Sequence, residues 1–227
     1  MRPNKVKQMW REGKPVTVGW VGSADTYMAE ILANVGFDAL VLDIQHGMGI
    51  GPDRAANWFQ AVSTTDTVPM TRIPWNQPVW YQWVLDAGAY GVIVPLVNNE
   101  EEAIQAGRSC RYPPLGYRSI GPNRANLYAG SDYVKNANDE IVCLVMVESI
   151  ETIPHLDAMA KAPGIDGFYI GPSDLAFSMG LNPKSFKESA EHSAACQKVL
   201  DVARANGLVA GTHCFSIEET VERFQQG

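Results

Sequence analysis

The chain has 227 residues, of which 46% are hydrophobic and 19% charged, and its formal net charge at pH 7 is −7. This length and apolar content predict a single globular domain with a sizeable core rather than a disordered chain. The acidic balance and the lack of a basic stripe argue against nucleic acid as a partner, because a phosphate backbone requires clustered Lys and Arg.

The N-terminal stretch MRPNKVKQMWREGKPVTVGW is charged and polar, and the longest apolar runs, such as IVCLVMV, are too short to cross a bilayer. We therefore expect neither secretion nor membrane insertion. The 4 cysteines are scattered without a Cys-x-x-Cys pair, which indicates neither a zinc ribbon nor a small disulfide framework. A cytoplasmic location fits these features best.

Short runs rich in β-branched and apolar residues recur along the chain, and helical spacing follows each of them. The predicted strands are 16–21, 37–43, 67–73, 91–97, 141–149, 165–171 and 207–214. The predicted helices are 25–35, 52–63, 77–88, 99–110, 150–161, 185–206 and 216–226. Most of the strands are apolar on both faces, which is typical of a parallel sheet covered by helices. The class is α/β, and the repeated units favour a (β/α)8 TIM barrel over a doubly wound sheet.

The predicted last helix ends at Gly227, where an eighth strand should begin. We expect residues 1–227 to form one barrel domain that is truncated at its C-terminus, so that the eighth strand and helix are missing. Completion of the barrel by a neighbouring chain is the alternative. The segment 111–139 has no strong period and is rich in Gly, Pro, Asn and Arg, and loops of such length are often functional.

Polar side chains gather at the predicted C-terminal ends of the strands, where the active sites of barrels lie. The stretch DIQHG places Asp43, Gln45 and His46 after the second strand, and Arg72 ends the third. Arg72 either stabilises an oxyanion, clamps a carboxylate, or forms an ion pair with a carboxylate such as Asp43. His46 is either a satisfied turn residue or a base, and a base needs a carboxylate such as Asp43 or Asp86 to fix its tautomer.

Two further carboxylates follow neighbouring predicted strands. Glu148 comes after six apolar residues, and a buried carboxylate is costly unless it is paired or bound to a metal. Asp174 opens a helix in GPSD, where helix capping is the structural alternative. Together they suggest a site for Mg²⁺ or Mn²⁺, and Co²⁺ is also compatible with oxygen ligands. The amides of Ser173 and Asp174 are placed to hold a substrate carboxylate.

The remaining histidines carry weaker signals. His155 and His192 lie in helical patterns and are expected to face solvent. His213 ends the seventh predicted strand, and its role stays open between structure and chemistry.

Six ordered blocks, LDIQHG, TRIPW, LDAGAYGVIVPLVNN, RYPPLGYRSIGPNRA, VMVES and GFYIGPSDLA, resemble the HpcH/HpaI family of metal-dependent pyruvate aldolases. The resemblance runs from about residue 15 to the end of the chain. It implies a class II aldolase that reversibly cleaves a 4-hydroxy-2-oxo acid to pyruvate or hydroxypyruvate and an aldehyde. It also implies a (β/α)8 barrel and a homo-oligomer, a hexamer built as a trimer of dimers.

The resemblance assigns roles only where positions match. Glu148 and Asp174 correspond to the metal-binding carboxylates, and Arg72 to the arginine that stabilises the enolate of pyruvate. His46 and Asp86 correspond to the base and its orienting carboxylate.

One position departs from the family pattern. Asp43 resembles the acid that begins the family's D-x-E-H motif, but the middle acid of that motif is Gln45 here. This change removes a negative charge near the metal and puts in doubt any role that needs a carboxylate there. The expected substrate-binding residues are Arg72, Ser173, Asp174, Gln45 and Trp20.

Two other functions stay open at this stage. A related barrel that acts on phosphoenolpyruvate or an acyl-CoA ester needs a basic pocket, for which Arg111, Arg118 and Arg124 are the available cluster. A catalytically silent barrel subunit is the second alternative, which Gln45 and the short C-terminus make conceivable.

Overall fold

The computed structural model describes residues 1–182 and 186–227, and it contains one parallel sheet surrounded by helices. The strands of this sheet are β1 Val18–Val21, β2 Ala39–Asp43, β3 Val68–Arg72, β4 Gly91–Val94, β5 Val142–Val147, β6 Gly167–Ile170 and β7 Val209–Thr212. They are hydrogen-bonded in chain order, and every pair is parallel. All of the predicted strands and the α/β class are therefore confirmed.

The sheet is curled like part of a barrel. Trp20 on β1 packs against Tyr169 on β6, with their ring centroids 5.5 Å apart. In a flat sheet, with neighbouring strands about 4.8 Å apart, these two strands would be separated by about 24 Å. The sheet must therefore bend until β1 faces β6 across the interior. Within the described ranges β1 and β7 are its edges, and no eighth strand joins them.

The helices are α1 Lys5–Arg11, α2 Thr26–Ala33, α3 Pro52–Val62, α4 Pro78–Asp86, α5 Glu100–Ser109, α6 Asn123–Ala129, α7 Tyr133–Glu140, α8 Leu156–Met159, α9 Pro172–Ser178, α10 Ala190–Ala205 and α11 Ile217–Gln226. Helices α2 to α5 and α11 confirm the predicted helices at those places. In the two described ranges no helix is both long and apolar enough to span a membrane.

Two predicted helices differ from those observed. The segment predicted as helix 150–161 begins with the 3₁₀ helix Ile150–His155, because Pro154 has no N–H group to continue an α-helical ladder. The helix predicted at 185–206 begins at Ala190, where the Ser189 side chain accepts a hydrogen bond from the amide of His192. The predicted start at residue 185 lies outside the described residues.

The segment 111–139, which the sequence predicts as a long loop, contains α6 and most of α7. A buried arginine, Arg118, ties it to the rest of the fold. Its guanidinium donates to Asp86 Oδ1 at 2.7 Å and to the hydroxyl of Tyr133 at 2.8 Å, and it lies over the ring of Tyr112. The segment is therefore held partly by structural contacts.

The core lies on both faces of the sheet. Every residue of β2 to β6 is buried, as their apolar character on both alternations predicted. On the outer side, Trp58 and Phe59 of α3 are completely buried. This packing fixes the directions of the strands, and with them the positions of the side chains at their C-terminal ends.

Candidate active site

The ends of β2 and β3 bring together a buried acid and a buried arginine. Asp43 and Arg72 are partners in the parallel register, and they are only 5% and 8% exposed. Arg72 Nε donates to Asp43 Oδ1 at 2.9 Å and Arg72 Nη2 donates to Oδ2 at 2.5 Å, so the contact is bidentate. Burial opposes ionisation of Asp43, but the hydrogen bonds and charge of Arg72 outweigh it and lower the pKa of Asp43.

The ion pair with Asp43 leaves some N–H donors of Arg72 unused. A guanidinium has five N–H donors, and two of them bind Asp43. Its planar face lies over the ring of Trp20, whose Nε1 also donates to Asp43 Oδ2 at 3.2 Å. The ion pair with Asp43 that the sequence offered as an alternative is thus present. It still leaves N–H groups of Arg72 that can bind an anion.

The loop after β2 carries His46 at the C-terminal edge of the curled sheet. The backbone amide of His46 donates to Asp43 Oδ1 at 3.2 Å, whereas its side chain is exposed. Gly47 closes the turn, because a Cβ there would lie 2.2 Å from the carbonyl oxygen of Asp43. Gln45 is half-buried beside it. Asp43 therefore orders both Arg72 and the loop that carries the predicted base.

The carboxylate of Asp86 binds residues other than His46. Its two carboxylate oxygens accept from Arg118 and from Gln82. Among the described residues of this single chain, no hydrogen bond joins Asp86 to the ring of His46. The predicted orienting role of Asp86 would need a contact that the single chain does not make.

Glu148 is a buried carboxylate with no cationic partner among the described residues. It is 5% exposed, and its Oε1 accepts from the amide of Leu96 at 2.6 Å. Leu96 has φ = 53°, a left-handed conformation that a residue of this kind rarely adopts, and this turn aims its amide at the carboxylate. Burial raises the pKa of Glu148, and the negative charge of Asp174 raises it further, although Leu96 and Arg72 act against them.

This pair of carboxylates fits a divalent metal ion. The negative charges of Glu148 and Asp174 repel each other, and neither carboxylate makes an ion pair among the described residues. Oxygen donors are the ligands that Mg²⁺ and Mn²⁺ prefer. No group of three or more His, Cys, Asp or Glu that could hold a metal occurs among the described residues. An ion held by Glu148 and Asp174 would therefore keep positions for water and substrate.

Asp174 and Ser173 lie in the first turn of α9, where backbone amides have no helical partner. The position of this turn depends on His192, whose Nε2 lies 2.9 Å from the carbonyl oxygen of Pro172. The expectation that His192 faces solvent is wrong, because α10 packs against α9 and leaves that side chain 3% exposed. The exposed His155 agrees with its prediction.

Gly171 gives a test of this packing. A Cβ at Gly171 would lie 2.9 Å from Glu148 Cβ and 3.0 Å from its Oε2. Gly171→Ala should therefore push the carboxylate aside, lowering the free energy of unfolding by about 1–3 kcal/mol and weakening Mn²⁺ binding measured by calorimetry. Gly22→Ala is the matched control, since no described atom lies within 4 Å of a Cβ there. Unchanged stability and Mn²⁺ affinity in Gly171→Ala would contradict this packing.

Two aromatic residues complete the interior wall, and the sequence did not assign them to the site. The Trp20 ring lies 5.5 Å from that of Tyr169 and 5.2 Å from that of His213. Burial lowers the pKa of His213, and the nearby charge of Arg72 lowers it further. The sequence leaves the role of His213 open, and it gives no signal for Tyr169, which lies inside an apolar strand.

The three arginines predicted as a basic cluster for an acyl-CoA or phosphate group do not form a common pocket. Arg111 binds Asp166, Arg118 binds Asp86, and Arg124 donates to the Ala87 carbonyl oxygen and to a serine hydroxyl. Each guanidinium is thus committed to its own protein partner.

Comparisons with known proteins show the family and the fold. The family model described as HpcH/HpaI aldolase/citrate lyase matches residues 17–227. The hydroxypyruvate/pyruvate aldolase of Rhizorhabdus wittichii is 38% identical over 213 residues, which are 94% of this chain and 84% of that protein. The 4-hydroxy-2-oxo-heptane-1,7-dioate aldolase of Klebsiella pneumoniae is 35% identical over 211 residues, 91% of this chain and 79% of that one.

Solved structures show the same fold. An HpcH/HpaI aldolase/citrate lyase family protein from Burkholderia cenocepacia superposes with a TM-score of 0.90 at 26% identity, covering 99% of this chain and 90% of that one. The citrate lyase β subunit of Mycobacterium tuberculosis, solved with oxaloacetate and magnesium, gives a TM-score of 0.55 at 16% identity, covering 92% and 82%. The fold, the family model and the aldolase relatives show that this chain belongs to the HpcH/HpaI aldolase/citrate lyase family.

Proposed function

We propose that the chain catalyses reversible, divalent-metal-dependent cleavage of a 4-hydroxy-2-oxo acid to pyruvate or hydroxypyruvate and an aldehyde. Its family and its aldolase relatives make it a carbon–carbon lyase. The observation that carries the finer proposal is the position of Arg72. Its charge acts on Glu148, a buried carboxylate that makes no ion pair among the described residues, and three of its five N–H donors are not used by Asp43. The proposed fold is a (β/α)8 barrel, of which the eighth strand remains a prediction.

Glu148 and Asp174 would hold the metal ion. A divalent ion there supplies a Lewis acid that stabilises negative charge on the keto oxygen of the substrate. The magnesium in the structure of the citrate lyase β subunit supports an ion of this class. Mg²⁺ and Mn²⁺ are the first candidates, and Co²⁺ also fits oxygen donors.

The side chains and backbone amides of the chain would bind the substrate and transfer its proton. The free N–H groups of Arg72 hold the enolate oxygen as charge develops, while Asp43 keeps the guanidinium in place. Ser173 binds the substrate carboxylate through its amide, and Trp20 forms the apolar wall. In the cleavage direction His46 removes the proton of the 4-hydroxyl, and the bond between carbons 3 and 4 breaks to release the aldehyde.

The test is proton–deuterium exchange at carbon 3 of pyruvate, followed by NMR in D₂O. Exchange is expected with Mg²⁺ or Mn²⁺ and should stop when a chelator is added, because the enolate needs both the ion and Arg72. The assay requires no knowledge of the aldehyde. A wild-type protein that exchanges no protons with any of Mg²⁺, Mn²⁺ and Co²⁺ would contradict the proposed function.

A further inference from the structure

Tyr169 and His213 form a pair of polar side chains in the interior wall of the curled sheet. Tyr169 lies on β6, opposite Gly211 of β7 in the parallel register, and His213 follows the end of β7. The Tyr169 hydroxyl lies 3.5 Å from His213 Nδ1. Both rings pack against the indole of Trp20, which also lies beneath the guanidinium of Arg72. The pair is therefore a neighbour of the proposed enolate site.

The hydrogen bonding of this pair is incomplete. Tyr169 is 7% exposed, and its contact with His213 is the only hydrogen bond its hydroxyl makes to the described residues. At 3.5 Å this contact is at the outer limit for an O–H donor. A buried hydroxyl without a good partner is costly, so the Tyr169 hydroxyl has the capacity to bind a further polar group.

The ionisation of both groups suits recognition of a neutral hydroxyl. Burial raises the pKa of Tyr169, so the phenol keeps its proton as a donor. Burial and the charge of Arg72 lower the pKa of His213, so a neutral ring offers one donor and one acceptor. The pair can therefore both donate to and accept from one bound hydroxyl group.

The position of the pair selects which part of the substrate it meets. Tyr169 lies inside β6, deeper than Asp174, which follows that strand, and deeper than the exposed His46. In the proposed mechanism the 2-oxo acid binds at Arg72 and the carboxylates, and the aldehyde lies nearer to the loops that follow the strands. Carbon 3 of that acid is the atom whose substituent distinguishes hydroxypyruvate from pyruvate.

We propose that Tyr169 and His213 form a specificity subsite that binds the hydroxyl group on carbon 3 of a 3-hydroxy-2-oxo acid donor. This inference rests on the proposed function and selects between the two donors that it names. A site built around hydrogen-bonding groups rejects an analogue without the hydroxyl, because the protein groups are then left unpaired. Hydroxypyruvate is therefore the preferred donor, and pyruvate the poorer one.

The experiment compares metal-dependent proton exchange at carbon 3 of both donors, and calorimetric binding of each, in wild-type protein and in variants. Tyr169→Phe and His213→Leu should lower kcat/KM for exchange with hydroxypyruvate by about 3- to 10-fold and change that for pyruvate by less than about twofold. His213→Asn should restore much of the preference, because its amide occupies the place of Nδ1. Tyr27→Phe is the matched control, since this tyrosine is 72% exposed.

The outcomes separate the subsite from the proposed function. The subsite would be overturned if Tyr169→Phe and His213→Leu lost kcat/KM equally with both donors, or left the ratio of the two kcat/KM values unchanged. Proton exchange by the wild type would still support the proposed function in that case. If the wild type exchanges neither donor, the proposed function fails and calorimetry decides the subsite. A preference for hydroxypyruvate that Tyr169→Phe abolishes supports it, and equal or undetectable binding of both donors overturns it.

Discussion

Arg72→Ala is expected to lower the rate of metal-dependent proton exchange at carbon 3 of pyruvate by about 10²- to 10³-fold, the usual loss for a missing oxyanion donor. The physical reason is that the N–H groups of Arg72 not used by Asp43 are the donors proposed to hold the enolate oxygen. NMR in D₂O measures the rate directly. An Arg72→Ala protein that folds and exchanges at the wild-type rate would remove Arg72 from the mechanism.

This variant needs a control for folding, because it leaves Asp43 buried without its cation. Breaking a buried ion pair in this way costs about 3–5 kcal/mol, so thermal unfolding must be measured alongside activity. Arg72→Lys keeps the positive charge but cannot make the bidentate contact. It should unfold nearer to the wild-type temperature and still lose most of the exchange rate, which separates orientation from stability.

Glu148→Gln is expected to produce two effects of opposite sign. The amide oxygen of Gln can still accept from the Leu96 amide, as Glu148 Oε1 does, while the negative charge is lost. Metal-free protein should become more stable, because the buried charge and its repulsion from Asp174 disappear. Mn²⁺ affinity should fall by at least about 10- to 100-fold, since a proposed carboxylate ligand is lost.

Calorimetry gives the Mn²⁺ affinity of this variant, and urea unfolding in chelator gives the metal-free stability. Glu151→Gln is a suitable control, because it makes the same chemical change at an exposed carboxylate three positions along the chain. It should alter neither quantity appreciably. Loss of stability without loss of Mn²⁺ affinity in Glu148→Gln would mean that Glu148 is a structural acid.

The family and its aldolase chemistry were readable from the ordered blocks, and the strands from short apolar runs. The runs ending in Asp43 and Arg72 predicted that these side chains share one edge of the sheet, and the structure places them in direct contact. This prediction succeeded because apolar alternation is a local property, and parallel strands end at the same edge. Glu148 was found in the same way, from a charge that ends an apolar strand.

Other features required the tertiary structure. The choice of Arg118 rather than His46 as the partner of Asp86 depends on how the 111–139 segment folds back, and sequence spacing contains no such information. The burial of His192 depends likewise on the packing of α10 against α9.

The contact of Trp20 with Tyr169 and His213 shows the limit most clearly, since these residues come from strands at opposite ends of the sheet order. The sequence by itself determined the family, the strands and the polar residues that follow them. Only the tertiary structure decided which of these residues touch across the interior. The reason is that local periodicity sets the direction of a side chain within its own strand, whereas contact between distant strands depends on the curvature of the whole sheet.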